Sequence, residues 1–173
     1  MKYLFQDYAP DIDSEAFIAP EAVVIGKVTI GKDSSVWPAA VVRGDMNTIT
    51  IGEGTSIQDG CILHNTFEDP LIVGSYVTLG HQVILHSCEV EDNCLIGMGA
   101  IILDRAKISK NSIVAAGSLV TSGKIFPEGS MIMGSPAKVV RSLSQEEIDS
   151  LKAHAETYIQ LAKAHMETLK PIP

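Results

Sequence analysis

The sequence predicts an all-β fold, a left-handed parallel β-helix shaped as a triangular prism and closed by a C-terminal α-helix. Three observations predict it. Aliphatic residues recur at every sixth position from about Val24 to Ile132. Glycine often follows them, as in Ile30-Gly31, Ile51-Gly52, Val73-Gly74, Leu79-Gly80 and Ile96-Gly97. Hydrophobic residues make up 46% of the 173, yet only 5% are aromatic, so the core must be thin and aliphatic.

The repeat runs in blocks. Val24, Ile30, Val36 and Val42 are six apart, as are Ile51, Ile57 and Leu63, then Val73, Leu79 and Leu85. A last block runs Val90, Ile96, Ile102, Ile108, Val114, Val120, Phe126 and Ile132. A period of six is neither the 3.6 of a helix nor the 2 of a plain strand. It fits short strands joined by regular turns, with one inward anchor per strand. Three such strands make a coil of about 18 residues, and coils stack as parallel strands roughly 4.8 Å apart.

The phase breaks three times. Three residues are inserted between Val42 and Ile51, and four between Leu63 and Val73, around Phe67 to Pro70. Both read as loops leaving the prism at a corner. The step from Leu85 to Val90 is one residue short. Pro127, Gly129, Gly134 and Pro136 punctuate the end of the repeat. Ser144-Gln145-Glu146-Glu147 is a capping box and opens a helix. Ile148, Leu151, Ala155, Tyr158, Leu161, Ala162 and Leu169 share one face of it, which must be covered by the prism or by a second copy. The expected organisation is a single domain, 1–173, with the β-helix at about 12–140 and the helix at about 144–170.

Composition narrows the function. A net charge of −8 argues against nucleic acid, whose phosphates demand a basic surface. No apolar run approaches the roughly 18 residues of a membrane span, and the first residues do not read as a secretory signal. A cytoplasmic protein with no membrane partner is expected. Cys61, Cys88 and Cys94 are odd in number and lack CxxC spacing, so buried free thiols are expected.

Coil geometry places distant residues together. His64 and His86 each follow an anchor by one; 22 residues separate them, four of which are inserted, so they stack one coil apart. Arg43 extends the same outward column, because three of the 21 residues between it and His64 are inserted. By the same arithmetic Asp59 lies below His81 on a neighbouring edge, with Gln58 beside it. Three imidazoles suit Zn2+, or alternatively Fe2+ or Co2+, with a fourth position left open. His64 and His86 can converge within one chain, whereas His81 would reach such a pair only on an adjacent prism around a threefold axis. The same packing would set Arg43 opposite Asp59 of a second copy. Arg43 and Asp45 also admit a plainer role in setting interface register. His154 and His165 read as surface residues of the helix.

At these residues the sequence resembles the γ-class carbonic anhydrase-like family. The matching segments are Val42-Arg43-Gly44-Asp45, Ile57-Gln58-Asp59-Gly60, Leu63-His64, Gly80-His81, Leu85-His86-Ser87-Cys88, Ile96-Gly97-Met98-Gly99 and Gly134-Ser135-Pro136-Ala137. The resemblance implies a homotrimer in which His64 and His86 share a metal with His81 of the next subunit. It also implies that Arg43, Asp45 and Asp59 form intersubunit ion pairs, and that Gln58 sits beside the metal-bound water. The implied reaction is reversible hydration of CO2 to bicarbonate, the metal lowering the pKa of water towards neutrality. Met46 stands where the best-characterised members carry glutamate, and their long acidic loop is shortened to Asn65–Pro70. Glu68, or Asp69, is the nearest substitute as a catalytic carboxylate. The tyrosine expected near the end of the repeat is absent from Ser130-Met131-Ile132-Met133.

Fold alone cannot choose a function. The alternatives are a hexapeptide-repeat acyltransferase with one general-base histidine, a thioesterase using the same metal chemistry, and a non-catalytic trimeric scaffold. Three clustered histidines exceed what acyl transfer requires.

Overall fold

A computed structural model describes residues 1–172; Pro173, the end of the expected single domain, lies outside the described residues. The chain winds as a parallel β-helix with three flat faces, and its strands stack by coil. One face orders Phe17–Ile18, Ser35–Val36, Ser56–Ile57, Thr78–Leu79, Leu95–Ile96, Ile113–Val114 and Ser130–Gly134 as neighbours. A second carries Ile62–His64, Ile84–His86, Ile101–Ile102 and Leu119–Val120, and a third Leu71–Val73, Glu89–Val90, Lys107–Ile108 and Ile125–Phe126.

Every anchor of the six-residue repeat points inward. From Val24 to Ile132 they are 0–1% exposed, apart from Phe126 at 6%. Each large aliphatic side chain so buried is worth about 1.5–3 kcal/mol relative to exposure, which is how a prism with few aromatics holds together. Cys61, Cys88 and Cys94 are buried and free, as expected.

The two insertions behave differently. The first does not leave the prism as a loop: Val41–Ile51 is one continuous strand that turns a corner with Val23–Ile30 alongside. The extra residues are absorbed where the register shifts between Gly26 and Val28. Two backbones meet there, and a Cβ on Gly26, whose φ is +76°, would fall 2.5 Å from the Gly44 carbonyl oxygen. Only glycine fits such an approach. The second insertion is a loop, held by buried Asn65, whose amide donates to the Thr48 carbonyl (2.9 Å). The short step has a cause in the same place. Ser87 turns the corner at φ +42°, accepts from Thr66 N at 2.7 Å and donates to the Asp69 carbonyl at 2.9 Å. One side chain thus ties the tightened corner to the loop of the coil below.

The end of the chain departs from expectation in one element. Ala137–Ser142 returns antiparallel along Ser130–Gly134 and caps the last coil. The helix Gln145–Thr168 follows with its capping box formed by Ser144 and Glu147. It folds back along its own prism, burying Leu151, Ala155 and Ala162. Leu161 and Leu169, expected on that face, are exposed, because the helix lies on the prism by a narrower stripe. His165 is not merely a surface residue: it packs edge-on against Trp37 (5.1 Å) and Phe17 (5.6 Å). No helix among the described residues is long and apolar enough to cross a membrane.

Burial pushes the thiols of Cys61 and Cys94 up to about 12, and that of Cys88 higher still. At pH 8 the folded protein should therefore react with a disulfide reagent roughly a thousandfold more slowly than a free thiol. All three thiols should appear on unfolding in guanidinium, and fast reaction in the folded state would contradict this packing.

Candidate metal centre

The outward column predicted from spacing is present. Arg43 pairs in register with His64, and His64 with His86. These strands place leucines inward and histidines outward by simple alternation, so the two rings come to rest on one edge. His64 Nδ1 lies 3.3 Å from His86 Nε2.

The remaining ring nitrogens are taken. His64 Nε2 lies 2.9 Å from Asp45 Oδ1, and His86 Nδ1 lies 2.5 Å from Asp104 Oδ1. A carboxylate only accepts, so where each ring carries a single N–H it is the outer nitrogen that donates. The two facing nitrogens then both present lone pairs. Two lone pairs at this separation repel unless a proton or a metal cation lies between them. Two ligands bound at 2.0–2.1 Å to one tetrahedral centre stand about 3.3–3.4 Å apart. The donor set and spacing therefore fit half of a divalent-metal site.

His81 does not join them. It stands half exposed on a neighbouring edge, with Nδ1 3.1 Å from Asp59 Oδ2, the residue predicted beneath it. Among the described residues of one chain, no three ligating side chains converge. Gln58 is 4% exposed, and it lines with His81 a cleft of about 300 Å3 between the prism and the helix. Met98, Ala116, His154 and Tyr158 complete much of that cleft. Glu68 is exposed on the shortened loop and has no ion-pair partner among the described residues, while Asp69 pairs with Arg105 at 3.1 Å.

Arg43, placed by spacing for pairing across an interface, is engaged within the chain. Its Nη1 lies 2.5 Å from Asp45 Oδ2. Burial works to raise the Asp45 carboxyl, but hydrogen bonds from Arg43 and His64, with the Arg43 charge, hold it below its ordinary range. Sequence reasoning missed Asp104: the short step makes this coil 17 residues, with Leu85 paired to Ile102, so spacing sets Leu103 over His86 and Asp104 one residue beyond it. It also missed that the helix brings Tyr158 and His154 into the cleft; the shared helical face of Tyr158 was the available signal.

Comparisons with known proteins identify the family. A family model described as "Bacterial transferase hexapeptide (six repeats)" matches residues 87–122. Carbonic anhydrase of Geobacillus kaustophilus is 44% identical, covering 92% of this chain and 88% of its own. Gamma carbonic anhydrase 1, mitochondrial, of Arabidopsis thaliana is 45% identical over 96% of this chain.

The chain belongs to the γ-class carbonic anhydrase family. That family is one of lyases, and this member spans 63% and 59% of the length of its two Arabidopsis relatives. Among solved structures, a hexapeptide transferase family protein from Anaplasma phagocytophilum superimposes with a TM-score of 0.92 at 43% identity. The match covers 95% of this chain and 97% of that one.

The Arg43–Asp45 geometry sets a pH dependence for this γ-class chain. A lowered carboxyl contributes stability that is complete above its ordinary value of 3.8 and is lost as pH falls through the lower folded value. In metal-free protein, Arg43→Met should cost about 0.5–1 kcal/mol after solvent screening. Thermal melts from pH 6 to pH 2 should show the difference between the two proteins largest above pH 4 and shrinking below it. A difference independent of pH would assign the loss to packing instead.

Proposed function

We propose that this chain is a metal-dependent carbonic anhydrase that hydrates CO2 reversibly at a site shared between copies of the chain in a homotrimer. One observation carries the reading: His64 Nδ1 and His86 Nε2 face each other at 3.3 Å, each ring backed by its own carboxylate. Zn2+, or alternatively Fe2+ or Co2+, is the group that such nitrogen donors select. His64 and His86 would hold it from one chain, and His81 from a second copy. When bound, such a cation supplies Lewis acidity that brings the pKa of water towards neutrality.

The chain's own residues supply the rest. Gln58, buried beside His81, offers an amide that can orient an oxygen at the cleft. The walls of the cleft include Leu95, Met98 and Ala116, which suit an apolar molecule such as CO2 better than a charged one. Glu68, exposed on its loop, would pass a proton to solvent. Arg43, Asp45 and Asp59 line the edges that would meet, so the pairs closed within the chain can exchange partners across the interface.

A further feature supports assembly. Val23, Val41, Ile62, Ile84, Ile101 and Leu119 stack in register as an outward aliphatic ladder beside the histidine column. Ile62 and Ile84 are 40% and 37% exposed in the single chain. A flat apolar ladder next to half a metal site is the surface that a second copy would cover.

Stopped-flow CO2 hydration, on protein purified anaerobically with its metal content assayed in the same sample, tests the activity. Activity should track bound metal at one per subunit and vanish in His81→Ala. A metal-loaded trimer without hydration would overturn the anhydrase reading. Sedimentation tests the assembly: Ile84→Glu, which sets a charge in the middle of the ladder, should convert trimer to monomer with its β-sheet circular dichroism retained. A trimer unaffected by that charge would place the interface elsewhere.

A further inference from the structure

We infer that Asp104 is a positioning residue of the metal centre, holding His86 so that Nε2 is the atom presented for ligation; this rests on the metal reading above. The carboxylate Oδ1 lies 2.5 Å from His86 Nδ1. An imidazole on an exposed edge can turn about its second side-chain torsion and present either nitrogen. A carboxylate that accepts from Nδ1–H selects one tautomer and one ring orientation, and it makes the opposite nitrogen a better donor.

Three observations separate this role from an ordinary surface pair. First, Asp104 sits on a built corner: Gly123 N donates to its carbonyl at 2.9 Å, and Ala106 N closes the turn onto the Leu103 carbonyl at 3.1 Å. The backbone that carries the carboxylate is thus held by the coil above and by its own turn. Second, Asp104 has no Lys or Arg partner among the described residues. The adjacent Arg105 is turned to Asp69, 3.1 Å away. Third, the far side of the His86 ring does not face open solvent. It faces His64, at 3.3 Å. A surface pair, worth about 0–1 kcal/mol, needs only one engaged nitrogen.

The arrangement also repeats. Asp45 holds His64 through Nε2, and Asp59 lies against His81 through Nδ1. Each of the three histidines proposed as ligands therefore has one aspartate on the nitrogen turned away from the metal. Asp104 completes the set for His86, from a coil above both histidines of the pair.

The test uses the full-length chain stripped of metal and titrated with Co2+, followed by its visible absorption and by competition with a chelator. Asp104→Asn and Asp104→Ala should weaken Co2+ binding by about 10–100-fold. Asp104→Glu should recover part of that loss. The melting temperature of the metal-free protein should stay within error of the unaltered chain. Asparagine keeps the size of aspartate, so Asp104→Asn decides the matter if Asp104→Ala does not fold. Co2+ affinity within twofold of the unaltered chain in Asp104→Asn would overturn the role, as would a lowered melting temperature without loss of affinity. An unaltered chain that binds neither Co2+ nor Zn2+ is a different result: it would overturn the metal reading itself, and this role with it.

Discussion

Every feature of this protein depends on one constraint, the in-register stacking of parallel coils. Each inward aliphatic side chain sits over another, and the backbone hydrogen bonds run from coil to coil. The hydrophobic term is spread over many small anchors rather than concentrated in a few large ones. A slip of one residue would turn every anchor outward, so the register is over-determined along the whole prism. Insertions are admitted only at corners, where they are absorbed by a bend, as at Gly26 and Gly44, or tied down, as at Ser87.

That rigidity is what allows two imidazoles to be held close together. Strands roughly 4.8 Å apart bring His64 and His86 to ring-centroid contact at 5.3 Å, with facing nitrogens nearer still. Asp45 is carried on the coil below His64 and Asp104 on the coil above His86, so each ring meets its carboxylate from an adjacent coil. The side-chain environments differ. His64 is well covered, at 13% exposure, while His86 and His81 are progressively more open. The most exposed histidine is the one that a second copy would have to receive.

The helix contributes more than a cover. Trp37, whose indole N–H lies 3.0 Å from both the Ser35 and Ser56 hydroxyls, makes the floor on which His165 and Tyr158 pack. This aromatic group sits at one end of the prism face, while His154 and Tyr158 reach the cleft that holds Gln58 and His81. The cleft thus takes one wall from the helix rather than from the repeat.

The sequence by itself determined the fold, its period and the histidine columns. A repeat of six has one inward position per strand, and stacking at about 18 residues follows from counting. The capping box at Ser144 was equally legible, since it depends only on residues three apart. Tertiary structure alone decided the rest. Whether the first insertion bulged out or bent as a continuous strand depended on two glycine backbones meeting across coils. Which nitrogens faced each other depended on the carboxylates that reached the rings. Asp104 lies one residue past the position stacked on His86, and nothing in spacing says that a surface aspartate turns towards a ring rather than towards the arginine beside it. The breadth of the helix stripe, which left Leu161 and Leu169 exposed, was set by the flat face beneath it. Periodicity fixes where a side chain starts, and only packing and hydrogen bonding decide where its polar end finishes.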